Sequence, residues 1–349
     1  MRKLFCAAVM LLMGTLLNAQ EAEIFRLEAE VRVDYEQDYQ LGNKINDVSG
    51  FHGQYLNLRM DGKIAEGLTY SWKQRMNKAN TVSSFFNATD WVTVDYTVNK
   101  WSLSAGKQVV AIGGYEYDMA PIDCYFNSEY WNNIACYQLG ASVAYNIGDG
   151  SDRLMAQVCE SPYTTHSDYM FAYNLIWYGK HDWFNSIYSL NMTEYQPGKY
   201  IYYVVLGNEF KFDNFKLQLD YMNRATGEHA FFFQDFSVMG ELSYMIKDKV
   251  NVFGKMAYDV NKSGVEGDYS VMPGTELTRV GAGVEYYPLS HGRKDLRLFA
   301  HYSYTWGVNG NPAGALQDKQ HFWGVGVKWK IDIISLTRKI FKKDEKPEI

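Results

Sequence analysis

WSLSAGKQVVAIGGYEYDMAPIDCYFNSEYWNNIACYQLGASVAY, residues 101–145, decides the fold. At its start Trp101, Leu103 and Ala105 alternate with Ser102, Ser104 and Gly106; at its end Tyr137, Leu139, Ala141 and Val143 alternate with Gln138, Gly140, Ser142 and Ala144. A period of two sends successive side chains to opposite faces, so strands are predicted over 101–108 and 137–145. The connection between them, Val109 to Cys136, is too long for an idle hairpin loop. It is also too apolar for a tether, since Ile112, Tyr115, Tyr117, Met119, Ile122, Tyr125, Phe126, Tyr130, Trp131 and Ile134 all fall within it. It reads as a packed loop lying inside something.

The same alternation recurs on both sides of that stretch. From Ile24 to Glu36, Phe25, Leu27, Ala29, Val31, Val33 and Tyr35 share one face and Arg26, Glu28, Glu30, Arg32, Asp34 and Glu36 the other. An unbroken apolar face backed by a charged one fits a wall between lipid and water. Further strands are predicted over 55–61, 68–76, 91–98, 154–159, 169–178, 184–194, 200–211, 215–222, 236–244, 250–259, 278–287, 296–306 and 322–331, about sixteen in all. The alternation is faintest over 154–159 and 200–211. Short connections, such as Asn99 to Lys100 and Asp213 to Asn214, alternate with long ones, such as Gln37 to Gly53 and Gly307 to His321. That is the polarity of an outer-membrane barrel, tight at the periplasmic end and longer outside. Trp101, Trp177, Trp306, Trp323 and Trp329 lie on the apolar face near strand ends, where amphipathic rings favour the lipid boundary. The expected fold is all-β: a transmembrane antiparallel barrel of about 16 strands whose third external loop, Val109 to Cys136, folds inward.

The 349 residues show no linker that would divide the middle of the chain. MRKLFCAAVMLLMGTLLNAQ has the basic start, apolar run and small residue near position 19 of a secretory signal peptide, predicted over 1–19. The barrel is expected over 20–332, followed by a periplasmic basic tail, 333–349, that either rests as a short helix on the membrane face or is a solvated end. No later apolar run reaches the length of a membrane helix. A formal charge of -6 argues against a nucleic-acid partner.

The segments LSAGKQVVAIGGYEY (103–117) and DGKIAEGLTYSWKQRM (61–76) resemble the phosphate-selective porin O and P family. The strand-and-loop layout extends the likeness over most of the mature chain. The resemblance implies an outer-membrane channel, assembly as a homotrimer, and a third loop that narrows the pore. Lys107, Tyr115, Glu116, Tyr117, Asp118, Asp123 and Glu129 are the expected constriction residues. Arg26, Arg32, Arg59, Lys73, Arg75, Lys255, Arg279 and Arg297 are expected to line the lumen, interspersed with acids such as Asp95, Glu209, Asp220, Glu241 and Glu285. Phosphate channels of that family carry basic residues near the constriction, whereas Val109 to Cys136 contains no Lys or Arg. A basic wall facing an acidic loop predicts a transverse field that favours small polar or ionic solutes. Outer-membrane lipid is the other expected partner.

Alternation turns Cys136 and Cys159 inward on neighbouring strands, so a disulfide between them is one expectation; Cys124 competes for either partner, and free thiols are the alternative. No catalytic motif, metal-ligand spacing or cofactor loop is present. The sequence leaves two other functions open: a structural or adhesin barrel with a plugged lumen, and an outer-membrane hydrolase needing a serine beside His301.

Overall fold

A computed structural model describes residues 25–78, 85–163, 169–227, 232–264, 267–289 and 293–334. The expected signal peptide and nearly all of the expected basic tail lie outside these residues. Sixteen long strands form one sheet with a two-residue strand, Asn43–Lys44, in the first loop. In chain order they are β1 (Phe25–Gln40), β2 (Gly50–Ala65), β3 (Leu68–Arg75), β4 (Thr89–Val98), β5 (Trp101–Val109), β6 (Tyr137–Ile147), β7 (Asp152–Glu160) and β8 (Phe171–Lys180). β9 (Phe184–Gln196), β10 (Lys199–Phe212), β11 (Phe215–Thr226), β12 (Asp235–Ile246), β13 (Val250–Asn261), β14 (Glu276–Tyr286), β15 (Leu296–Val308) and β16 (Gln320–Asp332) complete the set.

Each strand pairs antiparallel with its sequence neighbour, and β1 closes on β16 from Glu28 opposite Asp332 to Gln40 opposite Gln320. Closure removes every free edge, the only way a sheet can sit in hydrocarbon without unpaired backbone groups. The burial pattern is inverted relative to a soluble domain: Val94, Trp101, Leu103, Leu175, Leu242 and Trp329 are exposed on the outer face, while Arg32, Asp34, Gln157, Asn174, Asn191 and Arg224 are buried inside. Charged and amide side chains shielded from the outside belong to a polar lumen. Trp177 and Trp306 are likewise exposed, and Trp323 is half-buried against Tyr35 on the outer face.

All sixteen expected strands are present, including the two faintest, and most run further than their apolar alternation. β1 continues to Gln40 and β2 starts at Gly50, so the first long loop is shorter than the expected Gln37 to Gly53. Beyond the hydrocarbon layer a strand needs backbone partners but no apolar face, so pairing outlasts the pattern. One connection at the long-loop end is a tight turn: β9 and β10 are joined through Pro197 and Gly198, with Gly198 at φ 74°.

Cys124, Cys136 and Cys159 are free thiols. The register explains why the Cys136–Cys159 bridge does not form. Cys159 lies opposite Gly140, four positions along from Cys136, so the two are not cross-strand neighbours.

Candidate functional site: a loop docked inside the barrel

The connection from Val110 to Cys136, here L3, runs through the lumen. It forms two short helices, α1 (Tyr115–Asp118) and α2 (Glu129–Asn133), with a 3-10 turn at Pro121–Asp123. Its first limb is held by polar side chains of the wall. Gln157 on β7 accepts from the Ala111 amide at 2.7 Å, Asn191 on β9 donates to the Ala111 carbonyl at 2.8 Å, and the Ser189 hydroxyl accepts from the Gly113 amide at 3.0 Å. Asp220 on β11 accepts from the amides of Tyr115 and Glu116 at 2.9 and 2.8 Å. Gly114 and Gly207 let the loop backbone and β10 touch: a Cβ on Gly207 would sit 2.8 Å from the Gly114 Cα, and Gly114 has φ 92°.

The tip is held by cations. Arg297 and Lys328 reach Asp123 at 2.7 and 2.6 Å, and Arg32 donates to the Ile122 and Cys124 carbonyls at 3.1 and 2.5 Å. The returning limb is fixed by Arg279 donating to the Asn127 carbonyl at 3.1 Å and by Asp259 accepting from the Glu129 amide at 2.8 Å. Tyr125 donates to Glu285 at 2.6 Å, and the Lys255 ammonium lies 2.7 Å from Glu116. An apolar layer completes the docking: Val110, Ile112, Tyr117, Tyr130 and Ile134 of L3 pack against Ala172, Ile201, Tyr203, Val205 and Met222, inward residues of β8, β10 and β11. Tyr130 is 0% exposed. L3 is therefore a rigid crossbar with its own core, since many buried contacts of both kinds would have to break together to free it.

The expected constriction residues divide into four groups. Glu116, Asp123 and Glu129 anchor the loop. Tyr117 is buried in its core with its hydroxyl donating to the Ala135 carbonyl, and Tyr115 packs at the edge of a second apolar patch containing Ile176 and Ile187. Of the four acids Glu116 and Asp123 are ion-paired and Glu129 accepts from the Asn133 side-chain amide at 2.7 Å, whereas Asp118 makes neither an ion pair nor a side-chain hydrogen bond among the described residues and is the exposed one. Lys107 is not part of the constriction. Odd positions of β5 point outward, so its ammonium lies on the outer face, donating to the Phe86 carbonyl at 3.1 Å above the Phe86 ring.

The wall cations are mostly paired. Lys73 meets Glu30 at 3.0 Å, Arg75 meets Asp90 at 3.0 Å and Arg59 meets Asp61 at 2.8 Å; Arg26, at the periplasmic mouth, pairs with Glu28. Arg59 and Lys73 also lie over the Trp91 ring, 5.5 and 4.9 Å from its centroid. The expected transverse field is thus largely neutralised pair by pair. Asp259, Gln157, Asn174, Asn191 and Ser189 were not singled out from the sequence, although each is a polar residue on the inward face of a strand and bonds L3 or its anchors. His301 is enclosed by Tyr125, Phe126, Phe299 and Phe322, the Ser303 hydroxyl accepts from Arg279, and among the described residues no serine hydroxyl bonds the His301 ring. Among the described residues no His, Cys, Asp and Glu group is suited to a metal ion.

The two loop aspartates titrate differently. Burial pushes the Asp123 carboxyl up, but Lys328 and Arg297 outweigh it and hold the group below the ordinary value of 3.8. Burial raises Asp118, which Lys180 only partly offsets. A depressed carboxylate keeps its stabilising charge until the pH falls to its folded value, so the tip stays pinned at pH values where an ordinary aspartate is already losing its charge. A raised one begins to lose its charge above 3.8. Acidifying from neutrality toward pH 4 is therefore expected to move the reversal potential toward anion preference at nearly constant conductance. Asp118→Asn should abolish that drift; a drift surviving the substitution would assign it to another group.

The model of the phosphate-selective porin O and P family matches residues 25–177, from β1 into β8. Among curated proteins none matches the chain. Of solved structures, the anion-selective porin from Comamonas acidovorans is similar at TM-score 0.63 and 13% identity, covering 88% of this chain and 99% of that one. The outer-membrane channel DcaP of Acinetobacter baumannii is similar at TM-score 0.63 and 12% identity, covering 88% and 97%. OmpT of Vibrio cholerae, folded in vitro and in a trimer form, is similar at TM-score 0.59 and 13% identity, covering 88% and 99%.

Proposed function

We propose that this chain is an outer-membrane porin of the phosphate-selective porin O and P family, a non-enzymatic channel for small solutes, and that those solutes pass between L3 and the wall built by β2, β3 and β4. The one-sided anchoring of L3 carries this reading. Its hydrogen bonds and ion pairs reach β7, β9, β11, β13 to β16 and β1, and among the described residues none reaches β2, β3 or β4. On that unfastened side stand Arg59, Asp61, Ser71, Trp91 and Asp95, a mixture of charge, hydroxyl and ring suited to hydrated solutes rather than to one ion. With no Lys or Arg on L3 and the wall cations already paired, selection for bare phosphate has little to rest on. The constriction is formed by Tyr115, Asp118 and the docked body of L3 against that wall, with Arg59 the most open of its cations.

Asp95→Cys supplies a test. Labelling it with a charged methanethiosulfonate in a planar bilayer, in a background carrying Cys136→Ser because that free thiol is only half-buried, is expected to lower single-channel conductance, while the background alone, whose Cys124 and Cys159 are buried, responds little. A labelled variant with unaltered current would put the path elsewhere. The trimer form of the Vibrio cholerae protein supports the same assembly for this chain.

A further inference from the structure

We propose that the chamber beneath L3 binds zwitterionic solutes carrying an apolar group, of the amino-acid or dipeptide class. The proposal rests on the porin reading and adds a solute to it. L3 roofs a cavity of about 510 Å³ whose walls are β10 to β15 and whose mouth lies at the short-turn, periplasmic end, a volume in the usual range for a small-molecule site. Five cationic and five acidic side chains line it, so the chamber as a whole favours neither sign of ion.

Most of the strand-borne charges there already have partners: Arg297 meets Glu285 at 3.0 Å and Asp123 at 2.7 Å, and Lys255 meets Glu116 at 2.7 Å. Lys216 and Glu241 differ. Both point inward on adjacent strands, both are only half-buried, and among the described residues neither side chain makes a hydrogen bond or ion pair, although Glu241 lies opposite Lys255, whose ammonium is bonded to Glu116. Gln218 pairs with Glu241 and Lys216 with Ser243, so the two are diagonal neighbours, roughly 7–8 Å apart at that register. One base and one acid at that spacing match the carboxylate and ammonium of a single small solute. Phosphate at Lys216 would meet the Glu241 carboxylate, and a simple cation at Glu241 would meet both Lys216 and, across the register, Lys255; a zwitterion satisfies both members of the diagonal pair. In the same chamber Tyr125 of L3 and Phe253 of β13 stack at 5.5 Å and 16°, giving an aromatic surface for an apolar side chain.

The test is block of single-channel current in a planar bilayer by four probes: L-phenylalanine, N-acetyl-L-phenylalanine, 2-phenylethylamine and inorganic phosphate. L-Phenylalanine is expected to half-block at a concentration about tenfold below each of the others, the loss of one charge-assisted contact. Lys216→Gln should bring it to the level of 2-phenylethylamine, and Glu241→Gln to that of N-acetyl-L-phenylalanine, with open-channel conductance retained. Equal block by all four probes, stronger block by phosphate, or variants that block as the parent does would overturn the site. The probe series on the unaltered protein decides the matter even where a variant fails to assemble. A protein that inserts without conducting would instead refute the channel reading.

Discussion

Deleting Tyr115 to Trp131 is expected to raise single-channel conductance several-fold and to shift the reversal potential toward anions. The first effect follows from volume. That segment holds α1, the pinned tip and the first three residues of α2, and without it Val110 to Gly114 joins Asn132 to Cys136 along the wall. The second follows from charge. The segment contains four acids, Glu116, Asp118, Asp123 and Glu129, and no Lys or Arg, so its removal leaves Arg32, Lys255, Arg297 and Lys328 facing water with fewer counter-charges. The shortened barrel should also melt earlier, because Ile201, Tyr203, Val205 and Met222 lose the apolar layer that covers them. Planar-bilayer recordings of the two proteins side by side provide the check. Equal conductance would mean that L3 does not line the path, and an unmoved reversal potential would mean that its acids do not act on passing ions.

The wall was legible in the sequence because hydrocarbon imposes a strict rule: every second residue of a spanning strand must be apolar. Val92, Val94 and Tyr96 obey it, and so do Leu217, Leu219 and Tyr221. The rule fades where the inward face is itself covered. β10 carries Tyr202, Val204 and Leu206 outward and Ile201, Tyr203 and Val205 inward, apolar on both sides, because L3 lies against its inner face. Weak alternation over 200–211 was therefore a docking signature. β7 shows a milder case, with Met155 and Cys159 turned toward L3. Lys107 stood beside the loop in sequence, but parity from Leu103 already sent it outward, and proximity along the chain misled where alternation would have served. The anchors themselves were not legible. Arg279 meets the Asn127 carbonyl across 152 positions, and no local pattern announces which inward charge meets which loop carbonyl.

Replacing Lys255 with Met should disturb the channel more than any other single change in the lumen. Its ammonium is buried between Glu116, 2.7 Å away, and the Phe126 carbonyl at 3.1 Å. Glu116 in turn accepts from the amide and hydroxyl of Ser128, so this one cation ties the first limb of L3 to the returning limb and both to β13. Asp220 and Asp259 hold the loop backbone on either side. Without Lys255, Glu116 keeps two acids nearby and loses its one ion-pair partner, and breaking a buried pair from one side costs about 3–5 kcal/mol. That cost falls on the docking of L3, so the open-channel current of Lys255→Met is expected to become noisy and the barrel to unfold at lower temperature. Changing both partners together is predicted to be far milder. In Lys255→Met with Glu116→Gln no charge is left stranded, and the amide can still bond Ser128, so the double variant should be steadier and more heat-resistant than Lys255→Met alone. If the two substitutions simply add, the ion pair is not what fastens the crossbar, and the weight of docking shifts to the apolar layer around Tyr130.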